Sequence, residues 1–208
     1  MKICHFSDGH GKLPTLPEAD VYVCTGDMLP NTRMWRWVDK RPEQEKQRAW
    51  ARENPIKVPF GATVICVRGN HCFIDAGEQF KDANAILEFM DTPSTCVVNG
   101  VRFGGFRGVR RIDGEQSDEL GERELEARCD ELARLGPIDV LVTHGPAFDR
   151  LDNDYGSRSL RDFMDGRFAK APRAHLFGHI HESKGVETID GVVYSNAATG
   201  VNVVELKL

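Results

Sequence analysis

Five short segments place metal-ligating side-chain types directly behind an apolar run. KICHF (2–6) is followed by SDGH, which carries Asp8 and His10. VYVC is followed by TGD, with Asp27, and TVICV by RGNH, with Asn70 and His71. VLV leads into THG, with His144, and HLF into GHIH, with His179 and His181. Each piece alone is weak: Asn and Gly are ordinary turn residues, and two histidines one residue apart suit a polar strand end. Together they gather five of the seven histidines, two aspartates and an asparagine behind apolar runs. A glycine stands in every one of the five motifs, which suits tight turns and close backbone approach. Imidazole with carboxylate and amide oxygens suits borderline divalent ions: Mn, Fe, Zn, Ni or Co. Eight polar groups exceed the needs of one tetrahedral ion and fit two ions that share a carboxylate. Two such ions bring four positive charges and the two aspartates remove two. The remainder suits a hydroxide and an anionic phosphate ester, the arrangement of two-metal displacement chemistry.

Such a site needs strands that end side by side. The apolar runs predict strands over 2–6, 20–25, 63–68, 95–98, 101–105, 139–143, 174–178, 185–189, 192–195 and 201–207. Continuous runs such as TVICV suit strands covered on both faces. Helices are expected over 32–41 and 43–54, broken near Pro42, over 115–135 ahead of Gly136-Pro137, and over the weaker 157–167. Trp35, Trp37 and Trp50 fall in the first two and read as core packing. The order of elements predicts an α/β architecture of two stacked sheets with helices outside. In α/β sheets ligands bind beyond the carboxyl ends of the strands, where all five polar motifs would lie. With no repeat or linker visible, residues 1–208 read as a single domain.

The bulk properties exclude some classes. A net charge of -5 argues against a protein that binds nucleic acid by broad phosphate neutralisation. No apolar run approaches the roughly 20 residues of a membrane-spanning helix, and the amino-terminal segment reads as a strand, so a cytoplasmic location is expected. Of the six cysteines, Cys4, Cys24 and Cys66 sit inside apolar runs and read as small buried hydrophobes instead of a disulfide framework.

The ordered series DGH, GD, GNH, THG and GHIH, spanning residues 8 to 181, resembles the calcineurin-like metallophosphoesterases. The resemblance implies a four-layer sandwich, two mixed sheets between layers of helices. It also implies that Asp8, His10, Asp27 and His181 hold one metal, that Asp27 bridges to a second, and that Asn70, His144 and His179 complete that one. His71 would then stabilise or protonate the leaving oxygen. THGPA (143–147) and the stretch from Pro172 to Gly200 are most similar to a small phosphodiesterase branch that contains the metallophosphoesterase-domain proteins. That branch is associated with cyclic nucleotides and artificial diesters. Cys72 stands where most relatives carry an acidic residue, which touches the support of His71. GDMLPNT lacks the extended motif of the protein phosphatases. The expected activity is therefore metal-dependent hydrolysis of a small phosphate ester, with manganese the foremost metal. A phosphodiesterase is expected ahead of a phosphomonoesterase, and a catalytically dead interaction scaffold comes third. Arg107, Arg110 and Arg111 are candidates for substrate contact, because a guanidinium matches phosphate geometry; a solvated basic turn accounts for them as well. Oligomeric state is not legible.

Overall fold

In the computed structural model, which describes residues 1–31, 39–114 and 116–207, the apolar runs become strands. They are β1 (Lys2–Ser7), β2 (Val21–Cys24), β3 (Ile56–Lys57), β4 (Thr63–Val67), β5 (Phe80–Lys81), β6 (Ala85–Phe89), β7 (Ser94–Val98), β8 (Val101–Gly105), β9 (Val109–Arg110), β10 (Glu119–Leu120), β11 (Val140–Val142), β12 (Ala174–Phe177), β13 (Gly185–Ile189), β14 (Val192–Asn196) and β15 (Gly200–Glu205). The helices are α1 (Arg41–Glu53), α2 (Glu122–Arg134) and α3 (Arg158–Met164). One sheet has the order β15-β1-β2-β4-β6, parallel except for β15. The other runs β13-β14-β12-β11-β8-β7, parallel through its middle and antiparallel at both edges. Both are mixed, as expected.

The sheets stack through branched aliphatic side chains. Ile3, Val23 and Ile65 of the first pack into one cluster with Phe103, Val140 and Leu176 of the second. Apolar positions alternate along β1, so the opposite face of the first sheet buries Cys4 and Phe6, with Cys24 and Cys66 beside them. Helices α2 and α3 close the outer face of the second sheet, setting Leu125, Leu132 and Phe163 against Leu141 and Phe177. The outer layer over the first sheet is thinner. Ile56 and Val58 cover its middle, and α1 packs at one side through Ala51 and Trp50 on Leu29, Cys72 and Ile74.

Some boundaries differ from expectation. The helix expected from residue 115 begins at Glu122, and Glu119–Leu120 pair with β9 as a strand. The Glu119 carboxylate accepts the amides of Ile112 and Gln116 at 2.9 and 3.1 Å, and so ties its segment to the preceding loop. Gly121 caps the helix, its amide donating to the Glu124 carboxylate at 2.7 Å. Strand β6, AILEF, was not expected. Its polar Glu88 breaks the apolar pattern, yet the carboxylate accepts the amides of Ala76 and Gly77 and thereby fastens the sheet edge. Pro42 lies in the first turn of α1. The expected helix over 32–41, with Trp35 and Trp37, falls outside the described residues except at its end. Among the described residues no helix is long and apolar enough to cross a membrane.

Candidate metal centre

Strands β1, β2 and β4 are neighbours in the first sheet, β11 and β12 in the second, and within each sheet these strands run parallel. The loops after these five strands meet in one crevice, and the eight predicted side chains meet with them. The backbone is strained there: Asp8, His10, Asp27 and His179 all adopt left-handed conformations, with φ of 54°, 45°, 52° and 73°. Asp and His tolerate this region better than most residues, at a cost of order 1–3 kcal/mol each. Backbone hydrogen bonds from Asp8 to Gly26 (2.9 Å) and from His10 to Asp27 (3.0 Å) zip the first two loops together and hold them in place. Glycine is required where loops touch: a Cβ at Gly69 would collide with the Asp27 carboxylate, and one at Gly178 with that of Asp8. At Gly145 a Cβ would make only ordinary contacts, so that glycine is not demanded by space.

Both buried carboxylates are divided in the same way. Asp8 Oδ2 accepts the His179 amide at 2.9 Å, while Oδ1 faces His181 Nε2 at 3.4 Å and His10 Nε2 at 3.8 Å. Asp27 Oδ1 accepts the His71 amide at 2.9 Å and the Cys72 thiol at 3.4 Å. Its Oδ2 has no hydrogen-bond partner among the described residues and lies 3.1 Å from His144 Nε2. One oxygen is anchored in each case and one is aimed inward.

The inward atoms are mostly acceptors facing acceptors. His144 Nδ1 donates to the Thr25 carbonyl at 2.5 Å, since a carbonyl can only accept. A neutral His144 therefore turns an Nε2 lone pair toward Asn70 Oδ1 at 2.9 Å and Asp27 Oδ2. The Asn70 amide is oriented so because its Nδ2 donates to Gln116 Oε1. His10 Nε2 and His181 Nε2 stand 3.3 Å apart. Such clusters are repulsive until a proton or a cation sits among them. Burial alone would depress His144, but Asp27 beside it lifts the imidazole to about 9. Burial likewise opposes ionisation of Asp27, and His144 outweighs it, holding the carboxyl well below the usual range. The donor set thus fits cations: oxygen and imidazole nitrogen, two buried negative charges, inward lone pairs. Ligand atoms lie within 4.8 Å of one another in two sets, Asp8–His10–His181 and Asp8–Asp27–His144. Asp8 is common to both in this geometry, whereas the family resemblance implies Asp27 as the shared carboxylate.

His71 lines the same crevice, its ring centroid 5.4 Å from that of His10. Its turn is pinned from α1. Buried Gln47 donates to the His71 carbonyl at 2.9 Å and accepts the Phe73 amide at 2.7 Å. Nothing in the sequence marks Gln47 out, because its partners are backbone groups. Cys72 supports Asp27 and makes no hydrogen bond to the His71 ring. The three arginines are engaged elsewhere. Arg107 pairs with Asp91, Arg110 donates to the carbonyls of Asp154 and Gly156, and Arg111 lies 3.7 Å from Glu124. The same loop instead sends Ile112 and Gln116 to the crevice wall, facing Tyr155.

Comparison with known proteins bears on this site. Residues 1–183 match the family described as calcineurin-like phosphoesterase. An uncharacterised protein of Methanocaldococcus jannaschii is 26% identical over 94% of this chain and 87% of its own. Human metallophosphoesterase domain-containing protein 1 is 37% identical over 67 residues, 29% of this chain and 20% of that one. A Staphylococcus aureus chain described as a 5'-nucleotidase, solved with alpha-ketoglutarate, superposes with a TM-score of 0.53 at 12% identity, over 97% of this chain and 50% of that one. The chain spans only 18% of another curated relative that it matches over 91% of its own length.

Proposed function

Because the chain belongs to the calcineurin-like phosphoesterase family, a class of two-metal enzymes acting on phosphate esters, we propose that it is a phosphodiesterase for small substrates such as cyclic nucleotides, with manganese as the foremost metal. Residues 1–208 act as one domain in this reading. Asp8, His10 and His181 hold one ion, Asn70, His144 and His179 the other, and Asp27 is shared. Two divalent ions so held would lower the pKa of water and offset charge on the phosphoryl oxygens. The protein's own groups do the rest. The Thr25 carbonyl fixes the His144 tautomer so that Nε2 faces inward. Gln116 turns the Asn70 oxygen inward. The backbone amides of His71 and His179 each hold one carboxylate oxygen still. In this reading His71 would protonate the leaving ester oxygen; Gln47 holds its turn through the His71 carbonyl.

The observation that carries metal binding is the inward set of acceptors around Asp8 and Asp27. The diester preference rests on the resemblance of THGPA and the stretch from Pro172 to Gly200 to the small phosphodiesterase branch; the likeness to the S. aureus chain is one of fold alone. The test is turnover by purified protein with Mn, Ni, Fe or Zn on matched mono- and diesters. Metal-dependent diester hydrolysis is the expected result. Turnover of monoesters alone would replace the reading by a phosphomonoesterase, and two bound ions without turnover would favour a scaffold.

A further inference from the structure

A second cavity adjoins the crevice. The crevice, about 320 Å³, runs from His10 over Asp27 and His71 toward Ile112 and Tyr155. The second, about 340 Å³, opens toward β15, which flanks β1 on the side away from β2. Its walls include Lys12, Leu13, Pro14, Met28 and Val201. Asp8, His10 and His181 line both, so three proposed ligands of one ion form the ridge between two hollows.

That arrangement matches a diester. A phosphate monoester has one organic arm and a cyclic nucleotide carries both ester oxygens on one sugar; an acyclic diester has two arms, with phosphorus between them. At a water's share of about 30 Å³, each hollow has room for roughly ten non-hydrogen atoms, one aromatic or sugar ring with its substituents. The lining of the second hollow is chiefly apolar, and its Leu13 is 50% exposed. Lys12 adds an ammonium whose side chain makes no hydrogen bond or ion pair with the described residues, unlike Arg107, Arg110 and Arg111, which are tied to carboxylates and carbonyls. Nothing in the chemistry assigned above uses these residues.

We propose that this second cavity seats the non-leaving arm of a phosphodiester, a ring-sized and largely apolar group whose polar or anionic edge meets Lys12. The inference rests on the diesterase reading.

Gly200 provides the test. It lines the second hollow, and a Cβ there would meet only the Ala198 carbonyl, at 4.0 Å, so Gly200→Leu projects into the hollow. Three substrates share one leaving group and differ in the second arm: bis(4-nitrophenyl) phosphate, methyl 4-nitrophenyl phosphate and 4-nitrophenyl phosphate. The wild type is expected to show a lower KM for the bis-aryl than for the methyl diester. Gly200→Leu should shrink that advantage roughly tenfold, the worth of part of a buried ring. The exposed Leu13→Ser, which leaves the strands untouched, should shrink it in the same direction. A binding readout stands beside the kinetics: diphenyl phosphate titrated into zinc-loaded protein should shift the methyl NMR signals of Leu13, Met28 and Val201, and phenyl phosphate should not. If the wild type turns over diesters while both variants keep the bis-aryl advantage, or if only Ile112 shifts, the second cavity is not a subsite and the diesterase reading stands. If the wild type turns over monoesters alone, both fall.

Discussion

The chain uses histidine in two places for opposite ends. His5 lies between the sheets and His175 on the outer face of the second sheet, beside Phe177 and Tyr194; both are at 0% exposure. His5 is bracketed by hydroxyls, Ser195 Oγ at 2.8 Å and Thr25 Oγ1 at 3.0 Å, and His175 Nε2 meets Thr143 Oγ1 at 2.8 Å. Hydroxyls both donate and accept, so the two around His5 satisfy both nitrogens of a neutral ring, whereas Nδ1 of His175 has no hydrogen-bond partner among the described residues. Burial accordingly pushes both imidazoles down to about 3. In the crevice the same side chain faces carboxylates, an amide oxygen and other imidazoles, which cannot all be satisfied without added positive charge. Thr25 joins the two regions, its hydroxyl serving His5 and its carbonyl serving His144. Partner chemistry, not residue type or depth, separates a structural histidine from a ligand: His144 is as buried as His5.

Removing a crevice carboxylate should break this contrast most completely. Asp27→Asn is expected to take metal content from about two ions per chain to below one, with loss of metal-dependent turnover, while Asp8→Asn should cost mainly one ion. Elemental analysis of the pair decides which carboxylate is shared, and the reverse outcome would give that role to Asp8, in line with the close ligand sets of the structure.

His71→Ala should spare the metals and lower kcat by roughly 10²–10⁴-fold on a diester with a poor leaving group, the usual worth of a positioned acid. The loss should shrink with nitrophenolate, which needs no proton. Two bound ions with full activity on the poor leaving group would make His71 a structural turn residue.

These two core histidines predict an acid sensitivity. Their pKa is about 3 in the fold against 6.5 when free. Between these values the unfolded chain binds more protons, so stability falls as pH drops below 6.5. At pH 5 the loss is about 2 kcal/mol for each ring. His175→Gln should lower Tm at pH 7.5 yet narrow the gap between Tm at pH 7.5 and pH 5. An unchanged gap would mean that the ring is not held neutral.

The smallest effect is expected at the junction. Thr25→Val removes the hydroxyl from His5 and keeps the carbonyl for His144. Stability should fall by about 1–2 kcal/mol with both metals retained, read by denaturant unfolding beside metal analysis. Loss of an ion would show that the core histidine helps to set the crevice.

The sequence by itself determined the strands with strong apolar runs and the eight polar residues behind five of them. Both signals are local: a strand's burial shows in its own residues, and a polar residue behind a strand end can only lie at the sheet's edge. It left β6 invisible, since the partners of Glu88 are amides 11 and 12 residues away in the chain. It misjudged the start of α2 for a related reason, as Glu119 bonds backward to its own loop. The arginine-rich loop was conspicuous by residue type, yet tertiary contacts tie its arginines elsewhere and bring Ile112 and Gln116 to the site. Only the folded chain decides which nitrogen of His144 faces inward, because the Thr25 carbonyl that sets it lies 119 residues away. Likewise only the fold sets Gln47 against the His71 turn and opens a second cavity beside Asp8 and His10. Hydrogen-bond direction and cavity shape arise between segments distant in sequence, and no local pattern records them.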